Sequence, residues 1–170
     1  PSMGRLGTES FAAVLGGKGY NVLAHPPADK AVLKLGRANT SCKECLPLIL
    51  TTGTLLNYIN KGKSKGEILI FFMPTSSGPC RFGQYHVYMR ELVRTLELED
   101  VAIMSPSAED SYGGLGWRFI RAAWQCLIVS DLMRDIRSGL LAGAAGRRAA
   151  LEAFETEWKS ILMAMSRSYG

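Results

Sequence analysis

No apolar run in this sequence is long enough to cross a lipid bilayer. The longest is ILIFFMP at residues 68–74, far short of the roughly 20 residues that a membrane helix needs. A longer apolar region, from Trp117 to Val129, contains Arg121 and Gln125, which favours a helix buried in a protein core. We therefore expect no membrane association.

Cysteine, clustered charge and familiar catalytic motifs are also scarce. Four cysteines in 170 residues do not make a secreted disulfide framework, so a reduced cytoplasm is the expected compartment. The net charge of +5 is scattered, and its densest stretch is NKGKSKGE at 60–67. Because no nucleic-acid-binding pattern accompanies it, no nucleic-acid partner is predicted. The sequence has no Ser-His-Asp order, no Walker loop and no G-x-G-x-x-G.

What is present is an alternation of helical and strand patterns. YNVLAHP, EILIFFMP and VAIMSPS predict strands at 20–26, 67–74 and 101–107, and the continuous second run predicts a central parallel strand covered on both faces. We predict one α/β domain over 1–170, a Rossmann-like parallel sheet flanked by helices. Helices are predicted at 8–18, from Asp29 to about Gly36, through Leu46–Ile59 with a bend or break at 51–53, at 81–96, and from about 117 to 167 as two long C-terminal helices.

The first helix runs directly into a predicted strand, which is the second half of a β–α–β unit. The preceding PSMGRLG resembles the loop that follows a strand, but that strand is missing. We therefore expect the chain to be one domain of a longer polypeptide, or to begin unusually.

Three loops, HPPAD, PTSSGPCRFG and SPSAEDSYGG, leave predicted strands at their carboxyl ends, where ligands bind in parallel sheets. Each loop alone would simply turn the chain. Together they predict a functional site on one rim, which contains Cys80. Cys42 and Cys45 are expected to reach the same rim.

Cys42 and Cys45 form CKEC, a spacing found in zinc sites, in thioredoxin-like dithiols and by chance. Cys45 and Cys80 are each predicted near a helix start, which favours a thiolate. Thiolates bind zinc, copper(I) and iron–sulfur clusters, although buried cysteines also serve as small hydrophobes. A Cys₃His zinc site would need His25 or His86.

The residues around these cysteines permit two interpretations, a binding role or a structural one. Arg81 and Gln84 suit either hydrogen bonding to an anion or to cluster sulfides, or an ordinary helix surface. Tyr85 is a candidate wall of the site, and Cys126 lies among core residues.

The segments KECLPLILTTGTLL, FFMPTSSGPCRFGQY and SPSAEDSYGGLG resemble the C-terminal, 2-hydroxyacyl-CoA dehydratase subunit-like region of large acyl-CoA dehydratase activase-type proteins. That region is related to benzoyl-CoA reductase subunits. The resemblance runs from about Met3 to Ile136. It implies Rossmann-like domains that bind an iron–sulfur cluster, with 4Fe-4S as the candidate form, through cysteines at strand ends.

For this sequence, the resemblance implies that Cys45 and Cys80 are cluster ligands. Cys42 is a third candidate ligand, at a position where the family more often has glycine. Arg81 and Gln84 are implied to be further cofactor-binding residues. Two cysteines are too few for a four-thiolate cluster. The remaining ligands would come from Cys42, a missing segment, another subunit or a non-protein group, and the isolated domain can lack the cluster.

The implied role is electron transfer or docking within an ATP-dependent, anaerobic 2-hydroxyacyl-CoA dehydratase activase-like system. The chain is not expected to be catalytic alone, because the family's ATPase segment is absent from these residues. The implied partners are other domains of the same polypeptide, a dehydratase or reductase component, or a second copy in a homodimer. The alternatives are a thiol–disulfide redox module using Cys42 and Cys45, and a non-catalytic small-ligand or protein interaction domain.

Overall fold

The fold is seen in a computed structural model that describes residues 4–41, 43–107 and 112–168. Residue contacts divide the chain into two compact units. We call Ala28–Gly114 the strand unit, and the described residues of 2–27 and 115–170 the helical unit. This division does not test whether both units fold as one domain, so the single-domain assignment stays a prediction.

Most of the described residues are helical, and the predicted helices are all present. None of the helices in the described ranges combines the length and apolar character that crossing a membrane requires. The elements are α1 (Arg5–Gly17), α2 (Lys30–Ala38), α3 (Leu46–Lys61), β1 (Leu69–Phe72), a 3₁₀ turn (Arg81–Gln84), α4 (Tyr85–Thr95), β2 (Val101–Met104), α5 (Gly116–Gly143) and α6 (Arg147–Ser168).

The sheet of the strand unit consists of β1 and β2. The strands are parallel, with Leu69 opposite Val101 and Phe72 opposite Met104, and α4 lies between them in the chain. This β–α–β order confirms the α/β class. Within the described residues the sheet has only these two strands, so a larger Rossmann-like sheet is not observed.

The predicted strand at 20–26 is wrong, because the structure has no regular secondary structure there. Tyr20 and Leu23 are more than half exposed, so an extended conformation buries little apolar surface at these positions. Pro26 and Pro27 also lack the N–H group that a sheet ladder needs. The apolar residues YNVLAHP therefore form an irregular connection.

The sheet buries one face. Phe71 and Met73 lie in a core with residues of α3 and α4, whereas Ile68 and Ile70 are 73% and 60% exposed. The prediction of a strand covered on both faces is therefore wrong for the described part of the strand unit. The core consists of Leu48, Leu55, Leu56, Phe71, Met73, Tyr85, Met89 and Leu92.

Helix α3 continues through Thr51–Gly53, where the sequence suggested a bend or break. The Thr54 hydroxyl donates to the carbonyl oxygen of Leu50 at 2.8 Å, which keeps a polar side chain satisfied inside the helix. Gly53 lies against α2, and a Cβ built on it would be 2.0 Å from the Val32 carbonyl oxygen. Gly36 of α2 faces the Ile49 carbonyl oxygen equally closely. The two helices therefore pack backbone to backbone, which only glycine permits.

In the helical unit, α1, α5 and α6 pack around Val14, Phe119, Cys126 and Met165. The predicted helix beginning near Trp117 is confirmed, but the expectation that it is buried holds for one side only. Trp117, Trp124, Ile128 and Leu132 are each more than half exposed. They alternate with a buried stripe at helical spacing, since α5 packs against α1 and α6 along one face.

Replacing Gly53 by alanine should destabilise the protein, although alanine normally favours a helix over glycine. The added Cβ would meet the Val32 carbonyl oxygen and the Gly36 nitrogen, and backbone atoms cannot rotate away. We expect a loss of about 1–3 kcal/mol in the free energy of unfolding, measured by urea denaturation followed by circular dichroism.

Gly139→Ala is the matched control, because Gly139 lies within α5 and an added Cβ has no heavy atom within 4 Å. This variant should gain about 0.5–1 kcal/mol. Equal effects of the two substitutions would contradict the close contact between α2 and α3.

Candidate functional site

Cys45 lies immediately before α3. Its backbone is extended, and its carbonyl oxygen accepts the Leu48 N–H at 3.0 Å, which begins the helix. The side chain does not cap the helix. Instead, Cys45 Sγ and Tyr85 Oη share a hydrogen bond of 2.6 Å. The thiol is half-buried, and the predicted position of Cys45 at a helix start is confirmed.

Tyr85 begins α4 and is only 5% exposed. Its ring packs edge-on against Phe82, with 5.5 Å between ring centroids. Burial raises the pKa of Tyr85, and the hydrogen bond and electrostatic interaction with Cys45 raise it further, as does the electrostatic interaction with Cys80. The phenol therefore keeps its proton, which it can donate to sulfur.

Cys80 lies directly before the 3₁₀ turn that leads into α4, and its side chain is exposed. The preceding loop is held in place by a hydrogen bond of 2.9 Å from the Thr75 hydroxyl to the Gly83 carbonyl oxygen. A Cβ on Gly83 would be 2.6 Å from the Ser76 carbonyl oxygen, so the loop packs closely on the turn. Cys80 precedes Arg81 in the chain, and Arg81 lines the same cavity as Cys45.

A cavity of about 350 Å³ adjoins Cys45. Arg81 and Gln84, both predicted to bind a cofactor, line it together with Lys43, Glu44, Leu48, Tyr85 and Tyr88. Glu44 accepts a hydrogen bond from the Ser41 hydroxyl at 2.8 Å, which lowers the pKa of that carboxyl group. The cavity therefore combines two cations, one carboxylate and a thiol, and we call it the thiol cavity.

The predicted third cysteine, Cys42, lies outside the described residues. Within the described ranges, no three His, Cys, Asp or Glu side chains form a group that could hold a metal ion. The described sulfur donors are the thiol of Cys45, in the wall of the thiol cavity, and that of Cys80, next to Arg81 in the chain. Thiols are the ligands that iron–sulfur clusters use, but two are fewer than the four of a closed cluster. The donor chemistry fits such a cluster, and the number of described ligands is incomplete.

Cys126 and His25 belong to the helical unit, and His86 belongs to the strand unit. Cys126 is buried in the helical unit, where its thiol donates to the Ala123 carbonyl oxygen at 3.0 Å and burial raises its pKa. His86 lines a different cavity of the strand unit and not the thiol cavity, so no described contact supports a zinc site of three cysteines and His86.

The Nδ1 atom of His86 is buried without a hydrogen-bond partner, as is the Ser105 hydroxyl in the same cavity. Sequence reasoning missed both residues. The available signal was the position of Ser105 directly after a strand, combined with the four-residue spacing of His86 and Arg90.

Tyr85→Phe should remove the hydrogen bond to Cys45 while keeping the packed ring. We expect the free energy of unfolding to fall by about 0.5–1.5 kcal/mol, the net value of one such hydrogen bond. A double-mutant cycle with Cys45→Ala, measured by urea denaturation, should assign most of this loss to the pair.

Tyr88→Phe is the matched control, since Tyr88 also lies on α4 but donates to the Asn39 carbonyl oxygen at 2.6 Å. Its cycle with Cys45→Ala should show no coupling beyond about 0.3–0.5 kcal/mol. Additive effects of Tyr85→Phe and Cys45→Ala would contradict the sulfur–phenol contact.

Comparisons with known proteins identified no similar protein. No family model, no curated protein and no solved structure matches the chain.

Proposed function

We propose that this chain holds, or helps to hold, an iron–sulfur cluster at the thiols of Cys45 and Cys80. The observation that carries the proposal is that Cys45 and Arg81, the residue directly after Cys80, line one cavity, although Cys45 precedes α3 and Cys80 follows β1. Thiolate sulfur is the ligand that iron–sulfur clusters use. Cys42, three residues before Cys45, is the proposed third ligand.

Residues around the thiols have proposed supporting roles. Tyr85 donates a hydrogen bond to the Cys45 sulfur, and hydrogen bonds to sulfur change the reduction potential of a cluster. Arg81 supplies positive charge and Gln84 an amide at the edge of the thiol cavity. A bound cluster would supply one-electron transfer at low potential.

The proposed setting follows from the resemblance of KECLPLILTTGTLL and FFMPTSSGPCRFGQY to dehydratase activase-type proteins. The chain would act in electron transfer or docking, and not as a complete enzyme. Its partners would be other domains of the same polypeptide, a dehydratase or reductase component, or a second copy. We also propose that β1 and β2 belong to a Rossmann-like sheet.

The proposed compartment is the cytoplasm. Cys45 and Cys80 carry free thiols in the described structure, and thiols persist in reducing compartments. Iron binding by thiolates depends on that state, because a disulfide leaves no thiolate to coordinate the metal.

Anaerobic reconstitution of the 170-residue chain with iron and sulfide should test the proposal. We expect bound iron and acid-labile sulfide in comparable amounts, and an EPR signal after reduction with dithionite. Cys45→Ser and Cys80→Ser should each lose most of the bound iron, because each removes a soft ligand that a hydroxyl replaces poorly.

Cys126→Ala is the matched control, since it removes a buried thiol of the helical unit and should keep the iron content of the unaltered chain. Circular dichroism checks that all variants are folded. The proposal fails if the unaltered chain binds no iron, or if Cys45→Ser and Cys80→Ser bind as much iron as Cys126→Ala. A reversible Cys42–Cys45 disulfide without iron would instead favour a redox module.

A further inference from the structure

A second cavity of the strand unit, of about 440 Å³, lies where the chain leaves both strands. Its wall includes residues just after β1 and β2, on the side where ligands bind in parallel sheets. The volume is within the range of small-molecule sites, which is about 300–1,000 Å³. The residues that define its chemistry are Thr75, Ser76, Ser77, Ser105, His86 and Arg90.

Two polar atoms of this cavity are buried without a partner: His86 Nδ1 and the Ser105 hydroxyl. Buried polar atoms are almost always hydrogen-bonded, and leaving one unpaired costs stability. These two atoms come from different elements, since His86 lies on α4 and Ser105 follows β2. Both residues line the same cavity, so the unpaired atoms belong to its wall.

The charge of this cavity is positive among the described residues. Arg90 lies four residues after His86 on α4, which places both on one face of the helix. No Asp or Glu is among the described lining residues. In the described ranges, Arg90 also has no carboxylate within ion-pair distance, whereas Arg94 on the same helix pairs with Glu91.

We infer that this cavity binds the phosphoryl group of a small molecule. A phosphoryl group presents several acceptor oxygens in a tetrahedral arrangement, which suits serine hydroxyls on two loops, an imidazole N–H and a guanidinium group. The cavity volume of about 440 Å³ leaves room for a small organic remainder. This phosphoryl site shares no lining residue with the thiol cavity, and the inference does not depend on an iron–sulfur cluster.

Isothermal titration calorimetry of the full chain without iron tests the phosphoryl site, with inorganic phosphate, glycerol 3-phosphate and succinate as probes. We expect saturable binding of phosphate or its ester at one site per chain, and weaker binding of the planar carboxylates of succinate. Tighter binding of the ester assigns a phosphorylated small molecule, and tighter binding of inorganic phosphate assigns the free anion. Either result supports the phosphoryl site.

Arg90→Gln should weaken phosphate binding about tenfold or more, the loss expected for one charge-assisted hydrogen bond. The matched control is Arg94→Gln, which removes the same charge from the same helix outside the cavity. Its affinity should stay within about twofold of the unaltered chain, apart from long-range charge effects that added salt suppresses.

Ser105→Ala keeps the inference testable if Arg90→Gln should misfold. Because the Ser105 hydroxyl is unpaired in the free protein, its removal should not lower thermal stability without ligand. It should still weaken phosphate binding severalfold and reduce the increase in melting temperature on adding phosphate. The inference is overturned by the absence of saturable binding, by equal losses in Arg90→Gln and Arg94→Gln, or by succinate binding as tightly as the phosphates.

Discussion

The arrangement of the strand unit depends on one hydrogen bond, between the buried Tyr85 hydroxyl and the Cys45 sulfur. The Tyr85 ring lies in the core with Leu48 and Met89, and a buried tyrosine hydroxyl is costly unless it is paired. Its partner is the thiol that precedes α3. The start of α4 is therefore tied to the start of α3, and the loop containing Cys80 leads through the 3₁₀ turn into α4.

Helix α4 separates two chemical environments by its own periodicity. Tyr85, Met89 and Leu92 recur at helical spacing on the side that faces the core and the Cys45 thiol. His86 directly follows Tyr85 in the chain, and Arg90 directly follows Met89. Both therefore lie on a neighbouring face of the helix, where they line the phosphoryl site. One helix thus provides a soft-ligand region on one side and a cavity rich in hydrogen-bond donors on the other, without a shared side chain.

Several of these features could be predicted from the sequence, because they depend on local rules. Apolar periodicity indicated the helices, and Cys45 and Cys80 lie just before two of these predicted helices. The strand predicted at 20–26 failed because strand formation needs a neighbour to pair with, which local composition cannot supply. The contact between Tyr85 and Cys45 also could not be predicted from local rules, since the two residues are 40 positions apart in the chain.

The backbone contact between Gly36 and Gly53 limits how α2 and α3 can move. Side chains at an ordinary helix interface can change rotamers and absorb small displacements, but this crossing consists of main-chain atoms. The two helices therefore either stay together or separate over the whole crossing. In hydrogen–deuterium exchange, the amides flanking both glycines should open as one cooperative unit, and α3 would carry Cys45 through that opening.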